Sequence, residues 1–312
     1  MKAAVINHYG DRNELEVIDT RMPEIQADEV LVENHATSIN PIDYKARQGL
    51  LKPMFQWQFP VILGWDLAGT IVSVGEQVKG FEVGDAIFAR PDIDNLGANG
   101  AYAEYTAVKA DKLAHKPSNI SFEEAAAVPL AALTALQMLR QLKLLSNQKI
   151  LIQAGAGGVG IYAIQLAKMM GAYVATTAGQ VNHEFVKSLG ADLVIDYHEY
   201  NIQDVLSDFD AVLDTVGDVD GGIAILKPGG HFVTISTTLT DQQKNISNKT
   251  VMSGWLTPNG RDLETLAIDI ANEDLKIVVD SIYPLTTEGI RQAHERSETH
   301  HARGKVVVTI KP

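Results

Sequence analysis

The sequence contains no cysteine. That excludes disulfides, thiolate metal sites and cysteine nucleophiles. No apolar run approaches the roughly 18 residues that a membrane-crossing helix needs. Met1 to Ile6 start like a first strand, and Asn7 and His8 interrupt the apolar run before it can serve as the core of a secretory signal. Positive charge is in deficit, with 26 Lys and Arg against 39 Asp and Glu and a formal net charge of -13. Such a chain repels nucleic acid and anionic membranes, so neither is expected as a partner. By elimination the expected compartment is the cytoplasm. No tandem repeat or low-complexity tract is present.

What remains is an ordinary globular composition, 46% apolar and 21% charged over 312 residues, long enough for two domains. The pattern changes near residues 122–130. Before it, DEVLVENHATSIN (28–40), LAGTIVSVG (67–75), DAIFA (85–89) and AYAEYTAV (101–108) are strand-like and separated by glycine turns. Closely spaced short strands of this kind suggest a β-barrel-like domain. DNLGANG (94–100) is expected to be an exposed loop. Ser121 with Glu124 three residues on has the spacing of a capping box, and Pro129 should divide 121–142 into two helices.

Beyond that point strands alternate with helices. KILIQA (149–154), AYVATT (172–177), DLVID (192–196), FDAVLDT (209–215) and GHFVTI (230–235) are the strands, with helices at 159–170 and 182–189 among them. This rhythm predicts βαβ units and a parallel sheet. A helix is expected over 262–274. A last strand over 304–310 should return to the first domain, since a compact domain often keeps its termini close.

The strongest local signal is KILIQAGAGGVGIYAIQLAKMMGA, 149–172. A strand runs into Gly155, Gly157 and Gly160, and a helical pattern follows. Gly155 permits the tight turn, Gly157 lets backbone approach a pyrophosphate, and Gly160 lets the helix pack closely on the sheet. Free amides at the helix start, including those of Gly158 and Val159, face the anion. Isolated, such a motif is also a flexible glycine turn; the strand before it and the helix after it make it a dinucleotide site. The second strand ends at Thr176, Thr177, Ala178 and Gly179. An NAD site usually has Asp or Glu about 20 residues after the glycines, to hold the ribose 2′-hydroxyl. None stands here before Glu184, which favours NADPH. His183 and Lys187 are the nearest basic groups for a 2′-phosphate, although each is equally a surface residue.

At this point the chain resembles the medium-chain dehydrogenase/reductase superfamily and, within it, the zinc-independent quinone oxidoreductases related to zeta-crystallin. The resemblance covers nearly the whole chain through NPIDYKARQG (40–49), PVILGWDLAGTIVSVGEQVKGFEVGDAIFA (60–89), AGAGGVG (154–160), SLGADLVIDY (188–197) and RGKVVVTI (303–310). It implies an α/β chain: a Rossmann-type doubly wound parallel sheet plus a GroES-like, β-barrel-like catalytic domain. The expected division is 1–124 catalytic, 125–272 NADPH-binding and 273–312 returning to the catalytic domain, with the active site in the cleft between them. The resemblance also implies a homodimer joined through edge strands of the cofactor sheets. Where zinc-dependent relatives carry Gly-His-Glu, this chain has Gly64, Trp65 and Asp66. Zinc polarises the carbonyl oxygen of an unactivated substrate. Without it a quinone or enone is the better hydride acceptor, because the charge formed is delocalised and can be met by hydrogen bonds.

The resemblance assigns Asn40 and Tyr44 to the wall of the catalytic cleft. Asn40 would bind the nicotinamide region or the substrate oxygen, and Tyr44 would donate a hydrogen bond or proton. Their bland alternatives are a turn residue before Pro41 and a packed ring. Asp43 with Arg47 is expected to be a pair on one helix face, and Asp66 and Asp85 to cap local turns. Thr134 is placed facing the nicotinamide, Tyr197 near the 2′-phosphate, Val216 and Gly217 at the ribose, and Ile235 and Ser236 near the nicotinamide. Lys305 is placed near the cofactor, with a solvated side chain as its alternative. Trp255 and Thr257 are candidates to line the cleft. His294, Glu298, His300 and His301 form a loose cluster from which no metal site is expected.

Three rival functions remain in view. Tyr105 and Lys109 have the Tyr-x-x-x-Lys spacing of short-chain dehydrogenases, but precede the glycine turn in a strand-like stretch. An enone or 2-alkenal double-bond reductase would share the scaffold. A non-catalytic NADPH-binding protein would share the glycines.

Overall fold

The computed structural model describes residues 1–93 and 97–311. The first part of the expected 94–100 loop, 94–96, lies outside the described residues. The chain divides into two compact units, Met1–Ala131 with Pro258–Pro312, and Ala132–Thr257. The helix Gly260–Ala271 thus belongs to the first unit, not to the cofactor unit expected to run to 272. Gly260 explains this placement, since a β-carbon there would lie 2.4 Å from the Leu113 carbonyl oxygen of the same unit.

The second unit is a six-stranded parallel sheet. In spatial order its strands are Leu193–Ile195, Tyr173–Thr177, Lys149–Ile152, Phe209–Asp214, Leu226–Thr234 and Thr250–Ser253. The order reverses beside Lys149–Ile152, the strand that feeds the glycine turn. In open α/β sheets, ligands bind beyond the strand C-termini at such a reversal. The central strands are continuous apolar runs, as expected of a sheet covered on both faces; Ile150, Leu151, Ile152, Val212 and Leu213 are fully buried. The helix Gly160–Met169 buries its residues from Gly160 to Ala167.

The first unit is β-rich. Lys2–Ile6 pairs with Glu16–Asp19 and Val61–Ile62 in a small antiparallel sheet. The larger sheet is organised on the 11-residue strand Glu29–Ile39. Its first half pairs with Leu67–Val74 and Tyr105–Lys109, and its second half with Lys305–Thr309. Where the register shifts at Asn34, the Asn34 amide donates to the Ala103 carbonyl and Thr106 Oγ1, so the irregularity leaves no unpaired donor there. The register of the last strand matters most for function: Val306 lies opposite Ile39, which brings Lys305 against Asn40.

The capping box at Ser121 and Glu124 is present, and the helices Phe122–Ala126 and Pro129–Gln141 meet near Pro129. Strand character in 101–108 is confined to the end, Tyr105–Lys109; Ala103 makes only an isolated bridge to Ala3. The strands Thr250–Ser253 and Val279–Pro284 and the helix Thr287–Glu298 were not expected from sequence. No helix among the described residues is long and apolar enough to cross a membrane.

Candidate functional site

In the second unit the three motif glycines answer to three different constraints. A β-carbon on Gly155 would meet Thr176 Oγ1 at 2.2 Å, and one on Gly160 would meet the Ala154 carbonyl oxygen at 2.3 Å. Those two glycines allow the turn and helix to sit against the sheet. A β-carbon on Gly157 would meet only Ala154 O, at 3.3 Å, so this position is open to an approaching ligand. Ala154 is held at φ +52°, a left-handed conformation that L-residues rarely adopt and that clusters at functional turns. The first strand therefore stops at Ile152, short of the expected Ala154.

Thr177 fastens the turn to the second strand: Ala154 N donates to Thr177 Oγ1 at 2.9 Å and Gly155 N to Thr177 O at 3.0 Å. Its role is to position the loop. The amides of Gly158 and Val159 donate to no protein acceptor among the described residues. Two unsatisfied amides at the start of a ten-residue helix, beside an open glycine, fit a pyrophosphate.

The neighbouring strand ends join this surface. The N–H groups of Val216 and Gly217 donate to Asp214 Oδ1 at 2.9 and 2.7 Å. Gly217 has φ +95°, and a β-carbon there would lie 3.8 Å from Ser236 Oγ, so the Val216–Gly217 and Ile235–Ser236 turns adjoin. Thr134 is buried in Pro129–Gln141. Gln153 Oε1 and Asp214 Oδ2 are buried without partners among the described residues, beside the glycine turn and at the end of the fourth strand. Sequence reasoning named neither, and buried unpaired acceptors of this kind suit ligand hydroxyls.

The basic groups expected at the second strand are placed differently. His183 Nε2 donates to the Ala178 carbonyl at 3.1 Å and lies 4.0 Å from Asp196 Oδ2, while exposed Lys187 pairs with Glu184 at 3.0 Å. The groups against Gly179 are instead His198 and Tyr197. The parallel register, with Thr177 opposite Ile195, brings these distant residues together.

The first unit holds a buried polar network. Asp66 Oδ2 accepts from Ser38 Oγ at 2.6 Å and Asn40 Nδ2 at 2.7 Å, with Lys305 Nζ at 3.5 Å. Asp66 Oδ1 accepts from Leu130 N at 2.6 Å, in the first turn of Pro129–Gln141, where a helix favours an anion. Asp66 is therefore no local cap; its partners come from three separate segments, Ser38 with Asn40, Leu130, and Lys305. Lys305 also donates to the Ile39 carbonyl at 3.0 Å and to Asn40 Oδ1. Burial pushes the Lys305 ammonium below its usual range, and the charges of Asp66 and Asp43 oppose that shift. The alternative of a solvated Lys305 is thus not what is seen: the side chain is buried and a fixed member of this network. Asn40 is held at both ends of its amide, by Asp66 and Lys305, and is 2% exposed.

Asp43 Oδ2 accepts the Asn40 N–H at 2.7 Å and fixes the start of Pro41–Arg47. Its other oxygen faces the Tyr102 hydroxyl without completing a hydrogen bond. Burial raises the Asp43 carboxyl to about 7, and the Asp66 charge adds to the shift. Arg47 does not pair with Asp43 as expected. It donates to Glu298 at 2.7 Å and lies 3.2 Å from His294 Nδ1. Burial and Arg47 keep His294 well below its usual range, hence neutral, so two of the four residues of the histidine–glutamate cluster, His294 and Glu298, are committed to the guanidinium. Asp85 does serve its local turn, accepting the Glu82 N–H.

Tyr44 lies on Pro41–Arg47, with its ring edge-on to His300 at 6.0 Å. Burial, with the charges of Glu298 and Asp43, pushes its phenol up to about 12. Such a phenol stays protonated at neutral pH. It is a durable hydrogen-bond donor and a poor proton source.

Residues 26–118 match the alcohol dehydrogenase GroES-like domain family, and residues 189–308 match the zinc-binding dehydrogenase family. The chain is 38% identical, over 99% of its length and 79% of the relative's, to the NADPH-dependent alkenal/one oxidoreductase of Arabidopsis thaliana. It is 36% identical to the chloroplast envelope quinone oxidoreductase homolog of the same plant, over 99% of this chain and 98% of that one. The solved quinone oxidoreductase of Coxiella burnetii superposes with a TM-score of 0.91 at 35% identity, covering 100% of this chain and 99% of the other.

Proposed function

This chain belongs to the medium-chain dehydrogenase/reductase superfamily, of the quinone oxidoreductase type, and on that premise we propose that it is an NADPH-dependent oxidoreductase reducing a quinone without zinc. The observation that carries the cofactor assignment is the glycine turn: open at Gly157, with the Gly158 and Val159 amides unsatisfied, beside a second strand that ends in Ala178 and Gly179 with no carboxylate. When bound, the dinucleotide supplies a hydride from its reduced nicotinamide. A quinone taking up that hydride would gain both electrons and would need one further proton to become the hydroquinone.

Zinc independence rests on chemistry in the chain. There is no cysteine, Trp65 is packed in the core, and Asp66 is committed to Ser38, Asn40, Leu130 and Lys305. Negative charge growing on the substrate oxygen then needs a donor other than a metal. Tyr44 is the side chain proposed for this, kept protonated by its burial, with water supplying the final proton. Asn40, Asp43 and Lys305 hold the start of the Tyr44 helix in place.

An enone or 2-alkenal is the second reading, supported by the 38% identity to an alkenal/one oxidoreductase. Both acceptors leave charge on a conjugated oxygen, and both use the same donor. The test is NADPH oxidation by the purified chain with matched quinones and enones. We also propose a homodimer joined through the edge strand Thr250–Ser253, which among the described residues has a sheet neighbour on one side only. Light scattering giving the mass of a single chain would sink the dimer.

A further inference from the structure

We propose that Asn99 and Gly100 form a self-modifying site, at which the Asn99 carboxamide cyclises onto the Gly100 nitrogen and is lost as ammonia. The chain has two Asn-Gly pairs, Asn99–Gly100 and Asn259–Gly260, and the fold treats them differently. Asn259 caps the helix Gly260–Ala271. Its Oδ1 accepts the Asp262 N–H at 3.2 Å, and its Nδ2 donates to Asp262 Oδ2 at 3.3 Å. The Asn99 carboxamide makes no hydrogen bond among the described residues, and the Gly100 N–H has no acceptor there either. Asn99 is half-buried and lines a cavity of about 460 Å³ with Pro60 and Ile62, so water reaches it. The glycine is imposed by packing. A β-carbon on Gly100 would lie 2.1 Å from the Ile62 carbonyl oxygen and 2.3 Å from that of Leu63. No larger residue fits, and the same missing side chain leaves the Gly100 nitrogen uncrowded for attack.

The reaction needs no reactant but water. The Gly100 nitrogen gives up its proton and attacks Asn99 Cγ. The N–Cγ bond forms, the Cγ–Nδ2 bond breaks, and Nδ2 leaves as ammonia with that proton. Water then opens the cyclic imide at either carbonyl, giving aspartate or isoaspartate. Isoaspartate routes the main chain through the former side chain and lengthens it by a methylene. That extra length falls between fixed points. Ile62 N donates to the Gly97 carbonyl at 2.8 Å, Ala101 N to that of Gly64 at 3.0 Å, and Tyr102 N to that of Leu63 at 2.9 Å. The partner segment, 62–64, leads directly into Trp65 and Asp66, and Asp66 is the centre of the buried network. Isoaspartate at 99 therefore pulls 97–102 out of register with 62–64 and loosens Asp66, whereas plain aspartate adds only a charge. The site thus limits how long the Asp66 network keeps its geometry.

Peptide mapping tests this on the wild-type chain, whatever its substrate. The protein is incubated at mildly alkaline pH in heavy-oxygen water and digested, and the Asn99 and Asn259 peptides are compared by mass spectrometry. Asn99 should convert roughly tenfold or more faster than Asn259, because freeing the Asn259 carboxamide first breaks two hydrogen bonds. Isoaspartate carrying the heavy oxygen should be the larger product, and aged protein should unfold at a lower urea concentration than fresh protein. Asn99→Gln, whose longer side chain closes the ring far more slowly, should keep its urea midpoint through the same incubation. Equal conversion at the two asparagines, or none at Asn99 while a free peptide of the same sequence converts, would overturn the site. An Asn99→Gln chain that loses stability as fast as the wild type, or a wild type that converts at Asn99 with its midpoint unmoved, would overturn the effect on the Asp66 network.

Discussion

Asp43 should make the protein less stable as the pH rises toward neutrality. Its carboxyl is buried and raised from 3.8 to about 7. Between those values the unfolded chain has lost the proton and the folded chain keeps it. Stability contributed by this group therefore falls by up to about 1.4 kcal/mol per pH unit, because the folded state binds more protons than the unfolded one. The total over the window is about 4 kcal/mol. Below the ordinary carboxylate range both states are protonated, and above about 7 both are ionised, so the effect is confined to that interval. Other carboxyls act in the opposite sense: Asp192, Asp210 and Asp280 are held low by Lys168, Lys227 and Arg296, and lose their stabilising contribution as the pH falls. Asp43→Asn separates the terms. The amide can still accept the Asn40 N–H and cannot ionise. Urea unfolding of the two proteins from pH 4 to pH 8 should show the variant gaining on the wild type by about 4 kcal/mol across the window. A difference that stays constant to within about 1 kcal/mol would show that Asp43 is ionised throughout and would refute the reasoning.

Tyr44→Phe removes one donor and keeps the ring; turnover should fall about tenfold to thirtyfold, or roughly 1–2 kcal/mol, for quinone and enone alike. NADPH affinity should be nearly unchanged, and an unaltered rate of hydride transfer in a pre-steady-state assay would leave Tyr44 a packing residue. Ala178→Asp puts a carboxylate where the second strand ends; it should erase or reverse the preference for NADPH over NADH, measured as the ratio of dissociation constants. Equal constants for the two cofactors in the unaltered chain would count against the assignment. Elemental analysis of the purified protein should find no stoichiometric zinc, and a chelator should leave activity unchanged; about one tightly held zinc per chain would contradict the reading of Trp65 and Asp66.

The cofactor turn was legible because its constraints are local. Strand, glycines and helix lie together in 149–172, and each glycine answers to a neighbour within the motif or on the adjacent strand. The first-unit strands and the return of Lys305–Thr309 were legible from alternation and from the family's segments. Thr250–Ser253 was not, since it is a four-residue edge strand with one buried residue. Val279–Pro284 is only partly covered, with no alternation into a core, and Thr287–Glu298 has too narrow an apolar stripe, with Ile290 and Ala293 its buried aliphatic residues. The polar network escaped for another reason. Asp66 looked like a turn cap because its partners, Ser38, Asn40, Leu130 and Lys305, meet only after three segments have folded onto it. His198 was hidden by the same kind of distance, with strand register rather than sequence spacing placing it at Gly179.

The most direct test of the central claim is steady-state oxidation of NADPH by the purified, metal-free chain over a matched series of quinones and enones. The account predicts that NADPH is consumed with a quinone and outperforms NADH at equal concentration. Consumption with enones alone would move the assignment to the double-bond reductase. Tight NADPH binding with no oxidation by any member of either series would contradict an oxidoreductase and leave a protein that only binds the cofactor.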